Sequence, residues 1–136
     1  MPNKYAKQLQ GLKVDKRFYD MLYAEVGGGP PDEVAAAASV FINELGKSGY
    51  EKALKRSSAY LKQSPEYRKA AGGKLNAYEQ VFYDRNKAIV DNLIDNPDLV
   101  LPYTHFENIN AFGEPSWAGK MRGFKNIGRQ RFYIGD

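Results

Sequence analysis

Residues 31–46, PDEVAAAASVFINELG, constrain the fold more than any other stretch. The spacing predicts a helix from Pro31 or Asp32 to a C-cap at Gly46, with apolar side chains on almost every side. A helix without a polar face must be surrounded, so this one belongs at the centre of the molecule. Its alanines let neighbouring backbones come close. Pro31 is tolerated in the first turn, where an N–H would have no helical partner. The apolar run 34–42 is too short to span a bilayer, so no membrane insertion is expected.

The other segments read as elements arranged around this helix. Asp15 is the expected N-cap of a first helix, KRFYDMLYAE, which must end at Gly27-Gly28-Gly29-Pro30. Residues 49–61, GYEKALKRSSAYL, read as one short amphipathic helix. In SPEYRKAAGG (64–73) Ser64 caps, Pro65 opens and Gly72 stops another. A longer helix, 76–96, carries Tyr78, Val81, Phe82, Ile89 and Leu93 as an apolar stripe and ends at Pro97. Arg85 falls inside that stripe, paired with a buried acid or snorkelling outward. The last third changes character. YTHFENI (103–109) and KNIGRQRFYI (125–134) look like short strands separated by a loop with Gly113, Pro115 and Gly119. The expected fold class is α+β, mostly α, with a small antiparallel β element in a single domain over 1–136. Residues 1–13 read as a loose arm.

At 136 residues the chain is long enough to bury its own core. Without cysteine it has neither a disulfide framework nor a thiolate zinc site, and its one histidine, His105, excludes a multi-histidine metal centre. No metal or cofactor is expected. The net charge of +4 favours polyanions, whether nucleic acid, anionic membrane or bacterial cell wall. The excess is mild and densest in 119–133. With no aromatic RNA-binding signature and no convincing helix-turn-helix, nucleic acid is the weaker reading. The N-terminus has no apolar stretch, so no secretory signal is expected. There is no serine on a nucleophile elbow, and GGGPP lacks the lysine and amides of a phosphate-cradling loop.

One acid stands out. On a helical wheel of residues 15–25, Phe18, Met21, Leu22 and Glu25 share one sector, with Lys16 and Asp20 opposite. Glu25 therefore projects from the core-facing side at the last turn. Burial and the negative end of the helix dipole both disfavour its charged form. A carboxyl that stays protonated is what a general acid requires. The following glycines would leave room beside it for a bulky ligand. The alternative is an ion pair to a lysine or arginine at a frayed helix end, beside glycines that merely turn the chain.

Four stretches carry a resemblance to a known family. YAEVGGGPPDEVAAAASVFINEL resembles the opening of the SleB-like cell wall hydrolases: an acid, a glycine-rich turn, then an alanine-rich helix with an asparagine near its end, here Asn43. THFEN (104–108), PSWA (115–118) and IGRQRFY (127–133) are similar to three later elements of that family, in the same order. The resemblance implies a lysozyme-like fold and lytic transglycosylase cleavage of peptidoglycan glycan strands, with the catalytic glutamate at Glu25. Many members carry a second acid within the turn after the first; here Gly27, Gly28 and Gly29 fill that place. The small single domain, with no export signal or wall-binding module expected, fits a phage-borne enzyme residing in the virion or host cytoplasm and reaching the wall after delivery, with other virion proteins as partners.

A single acid suffices for transglycosylase chemistry, whereas most glycosidases use two carboxylates. Glu107 is the best rival second acid. Strand alternation sets Thr104, Phe106 and Asn108 on one face and His105 and Glu107 on the other, only one set facing the cleft. Asp32 and Glu33 read as first-turn acids favoured by the helix dipole, with Asp32 available as a cap. The candidate substrate-binding residues are Tyr103, Thr104, His105, Phe106, Asn108 and Trp117. Each has a packing alternative: His105 and Trp117 as structural residues, the aromatics as core, Asn108 as a turn-former. Two other functions stay open: a non-catalytic virion or wall-binding protein of the same fold, and a two-carboxylate muramidase.

Overall fold

The structure, a computed structural model, describes residues 6–135. It is mostly helical with one small antiparallel sheet. Helix α1 (Lys16–Val26) starts where Asp15 accepts the Arg17 N–H and ends at Gly27, whose φ of 49° few other residues adopt. Helix α2 (Pro31–Ser48) is the surrounded one. Val34, Ala36, Ala37 and Ala38 have no exposure, and the helix packs against α1, α3 (Tyr50–Lys55), α6 (Ala77–Asp95) and the sheet. Two short helices, α4 (Ser58–Leu61) and α5 (Pro65–Ala71), cover α1, each capped by the serine before it. A capping box between Asn76 and Glu79 opens α6. Among the described residues no helix is long and apolar enough to cross a membrane.

The sheet has the order β1-β3-β2, with β1 (His105–Glu107) and β2 (Gly123–Ile127) both antiparallel to β3 (Gln130–Ile134). The single strand expected over 125–134 is therefore a hairpin, turned by Gly128 at φ 60°. Phe132, at the centre of β3, is fully buried and stacks on Phe106 of β1. A one-turn helix α7 (Ile109–Phe112) follows β1, with Asn108 as its cap.

Several expectations are corrected by packing. Helix α2 runs through Gly46 to Gly49, because Gly46 is a contact point and not a stop: a Cβ there would strike the Leu9 side chain. Leu9, 1% exposed, lies in a 3-10 turn (Ala6–Leu9) in contact with α2, so it anchors the expected arm at that point; residues 1–5 lie outside the described residues. Asp20 does not face solvent. Helices α5 and α6 cover that side of α1, and Asp20 accepts from Tyr83 and Lys16. The stripe on α6 is core only in its second half. Tyr78 and Val81 are exposed, and the inward face is Asn86, Val90 and Leu93. Arg85 neither finds a buried acid nor reaches outward. It donates to the Gly29 carbonyl at 2.6 Å and to Asn86, and lies over the Phe82 ring.

Candidate active site

The segment expected as one helix over 49–61 breaks at Arg56-Ser57, and the break builds the site. Buried Ser57 caps α4 by accepting the Tyr60 N–H at 3.1 Å. The same hydroxyl donates to Glu25 Oε2 at 2.8 Å, and the Ala59 N–H reaches that oxygen at 3.3 Å. Capping thus orients the hydroxyl that holds the carboxyl. Glu25 itself is half-buried at the end of α1, over the buried Phe18, Met21 and Leu22. No lysine or arginine forms an ion pair with it among the described residues.

Burial is the largest influence on Glu25 and raises its pKa above the ordinary 4.5; the Ser57 and Ala59 hydrogen bonds oppose it, and the negative charge of Glu107 adds to it. The net direction is upward. Replacing Ser57 by alanine removes both a cap and a donor. Stability should fall by about 1 kcal/mol. The Glu25 carboxyl, followed by NMR through a pH titration, should move further up. A downward move would mean that the hydroxyl does not hold the carboxylate.

Two cavities meet at Glu25. One lobe, of about 470 Å³, is walled by His105, Phe106, Glu107 and Trp117. The other, of about 710 Å³, is floored by Gly27, Gly28 and Gly29 and walled by Arg129 of the hairpin. Glu25, Asn108 and Gln130 belong to both. The carboxyl therefore stands at the waist of a cleft between the helices and the sheet.

The alternation expected for 104–108 does not decide which residues reach the cleft. Strand β1 is three residues long and lies at the sheet edge, so the cleft crosses its rim and receives His105, Phe106, Glu107 and Asn108 together. Phe106 keeps one side on Phe41 of the core. His105 packs on Trp117, ring centroids 4.9 Å apart, making an aromatic wall. The His105 pKa is lowered by burial and by the charges of Arg56 and Lys47, which leaves the imidazole neutral. Thr104 Oγ1 accepts the Gly135 N–H and shares a hydrogen bond with His105 Nδ1 at 2.8 Å, which fixes the orientation of the ring. Thr104 thus acts through His105. Asn108 spends its Oδ1 on the Ala111 N–H, leaving its NH2 group for a ligand. Tyr103 is a correction: it is buried against Phe132 and lines neither lobe.

Glu33 lies in the first turn of α2, as expected, and is buried there. It is 2% exposed, and its Oε1 accepts the Arg129 N–H of the hairpin turn. A Cβ at Gly29 or at Gly128 would collide with this carboxylate, and one at Gly28 would press on the Phe82 ring. The glycines are therefore required by packing, and the room they leave is taken in part by Glu33. Pro30, without a side-chain bond, is the N-cap of α2, and Asp32 accepts the Glu33 N–H.

Sequence reasoning missed Ser57, Arg56 and Gln130. A serine three residues before Tyr60 is a legible cap, but the continuous amphipathic pattern of 49–61 hid it. Among the described residues no three histidine, aspartate or glutamate side chains converge as metal ligands would. No protein-family model, no curated protein and no solved structure matches this chain.

Proposed function

We propose that this protein is a peptidoglycan lytic transglycosylase with a lysozyme-like arrangement of helices and sheet around its cleft. The observation that carries the reading is Glu25. It is a half-buried carboxyl with a raised pKa, held by a serine hydroxyl at the waist of an elongated groove with an aromatic wall. In this reading Glu25 protonates the oxygen of the β-1,4 bond between N-acetylmuramic acid and N-acetylglucosamine, and the C1–O bond breaks. The N-acetyl oxygen stabilises the cation at C1. The Glu25 carboxylate then takes the proton of the sugar's own C6 hydroxyl, O6 bonds to C1, and a 1,6-anhydro ring forms without water. His105, Trp117, Phe106 and Asn108 would hold the sugars. Delivery to the wall by a virion or at host lysis belongs to the same proposal.

Glu107 favours a second reading. It lies in the same lobe as Glu25 and acts on its pKa, so a two-carboxylate muramidase would need no further residue. Glu107 already accepts the Asn108 N–H at 3.0 Å, which favours a structural role for it. Digestion of purified peptidoglycan followed by mass analysis decides between them. Muropeptide ends lighter by one water are expected. Reducing ends would transfer the reaction to the two-acid mechanism, and no release would remove the enzymatic reading.

A further inference from the structure

A small side cavity of about 40 Å³ adjoins the first lobe, between α2 and the start of β1. Val40, Arg56 and His105 stand in the walls of both, and Asn43, Glu44, Lys47 and Thr104 line the rest of the side cavity. Arg56 Nη1 bonds Glu44 at 3.1 Å, which anchors the arginine, yet the guanidinium carries five N–H donors and remains 38% exposed. With the imidazole neutral, the local balance is two cations against one carboxylate. Deeper in the adjoining lobe, away from Arg56, Glu107 and the ionised form of Glu25 would repel an anion. An anionic group carried by a ligand is thus turned away from the reacting carboxyl and drawn to Arg56 and Lys47.

The sugar rings and acetamido groups of a glycan strand are neutral and give these cations nothing to pair with. The peptide stem on the muramyl lactyl group is different: it bears free carboxylates, and every scissile muramyl bond has its stem within one sugar. We infer that Arg56 and Lys47 form a subsite for the carboxylates of the peptide stem, so that the enzyme selects strands whose stems keep their free carboxylates over strands whose stem carboxylates are neutralised. Arginine suits this role because its planar fork matches a carboxylate. The inference rests on the function proposed above.

The test compares cleavage of intact peptidoglycan with that of the same polymer after its stem carboxylates are capped as neutral methylamides, because strands stripped by an amidase would still carry a lactyl carboxylate on each muramyl residue. The wild-type protein should prefer the intact polymer by about tenfold in kcat/KM, the scale of one charge-assisted hydrogen bond at a partly exposed site. Arg56→Gln and Lys47→Gln should each lower that ratio through a higher KM on the intact polymer. Because the ratio compares two substrates on one preparation, it does not depend on the fraction of protein folded. The preference should also weaken with added salt. Equal cleavage of both polymers by the wild type, or an unchanged ratio in both variants, overturns the subsite and leaves the proposed activity standing. Cleavage of neither polymer overturns both.

Discussion

Glu25→Gln is expected to lower release of muropeptides by at least about a thousandfold while the protein stays folded, since this one group serves as both acid and base. Glutamine keeps an oxygen to accept the Ser57 hydroxyl, so the site should retain its shape. It cannot donate the proton that the glycosidic oxygen needs. The pH dependence carries a second, independent signature. The folded-state pKa of Glu25 is raised, so the native protein binds more protons than the unfolded chain once pH exceeds the ordinary 4.5. Stability conferred by this site is therefore fully present below that value and declines as pH rises through the folded pKa. Glutamine has no such decline. The variant should gain on the wild type in thermal midpoint as pH rises across that window, with no gain below it. Catalysis should fall on the alkaline side at a pH above the ordinary carboxylate range, because the first step needs the protonated acid. Full activity in Glu25→Gln would end the mechanism. A thermal difference that shrinks with rising pH would show that the carboxylate is favoured in the fold.

The second large effect concerns the hairpin wall of the cleft. Gly128→Ala should cost about 2–5 kcal/mol: about 1–2 for a Cβ in the left-handed region, and about 1–3 for the Glu33 carboxylate that the new atom displaces from the Arg129 N–H. Glu33→Ala alone should cost about 1–3 kcal/mol, because it removes the charged acceptor that holds the Arg129 N–H. The double variant should cost less than the sum. With Glu33 truncated the collision is gone, and only the backbone penalty at Gly128 is added. Chemical denaturation of the four proteins measures the coupling. Strict additivity would mean that Glu33 does not hold the turn.

The two effects differ in how visible they were beforehand. The position of Glu25 on the apolar face of α1 followed from periodicity, since the sector shared with Phe18, Met21 and Leu22 is a property of eleven consecutive residues. The bond that Glu33 makes was hidden, because a glutamate in the first turn of a helix reads the same whether it faces water or a hairpin. The stripe on α6 shows the limit from the other direction. Tyr78 and Val81 have the right spacing for a core face, yet both are exposed, and spacing cannot say how far along a helix its partner extends. Tyr103 likewise has the composition of a sugar-binding aromatic and the position of a core residue.

The chain's own order of residues determined where most helices start and stop, that α2 is central, and which carboxyl lies on an apolar face. Those outcomes depend on caps, prolines, glycines and periodicity, all written within a few positions of where they act. Tertiary structure alone decided what Glu25 and Glu33 touch. The Ser57 hydroxyl comes to Glu25 from 32 positions away and the Arg129 N–H to Glu33 from 96. Such meetings depend on how helices and sheet pack in space, and no local pattern records the distance between segments that are remote along the chain.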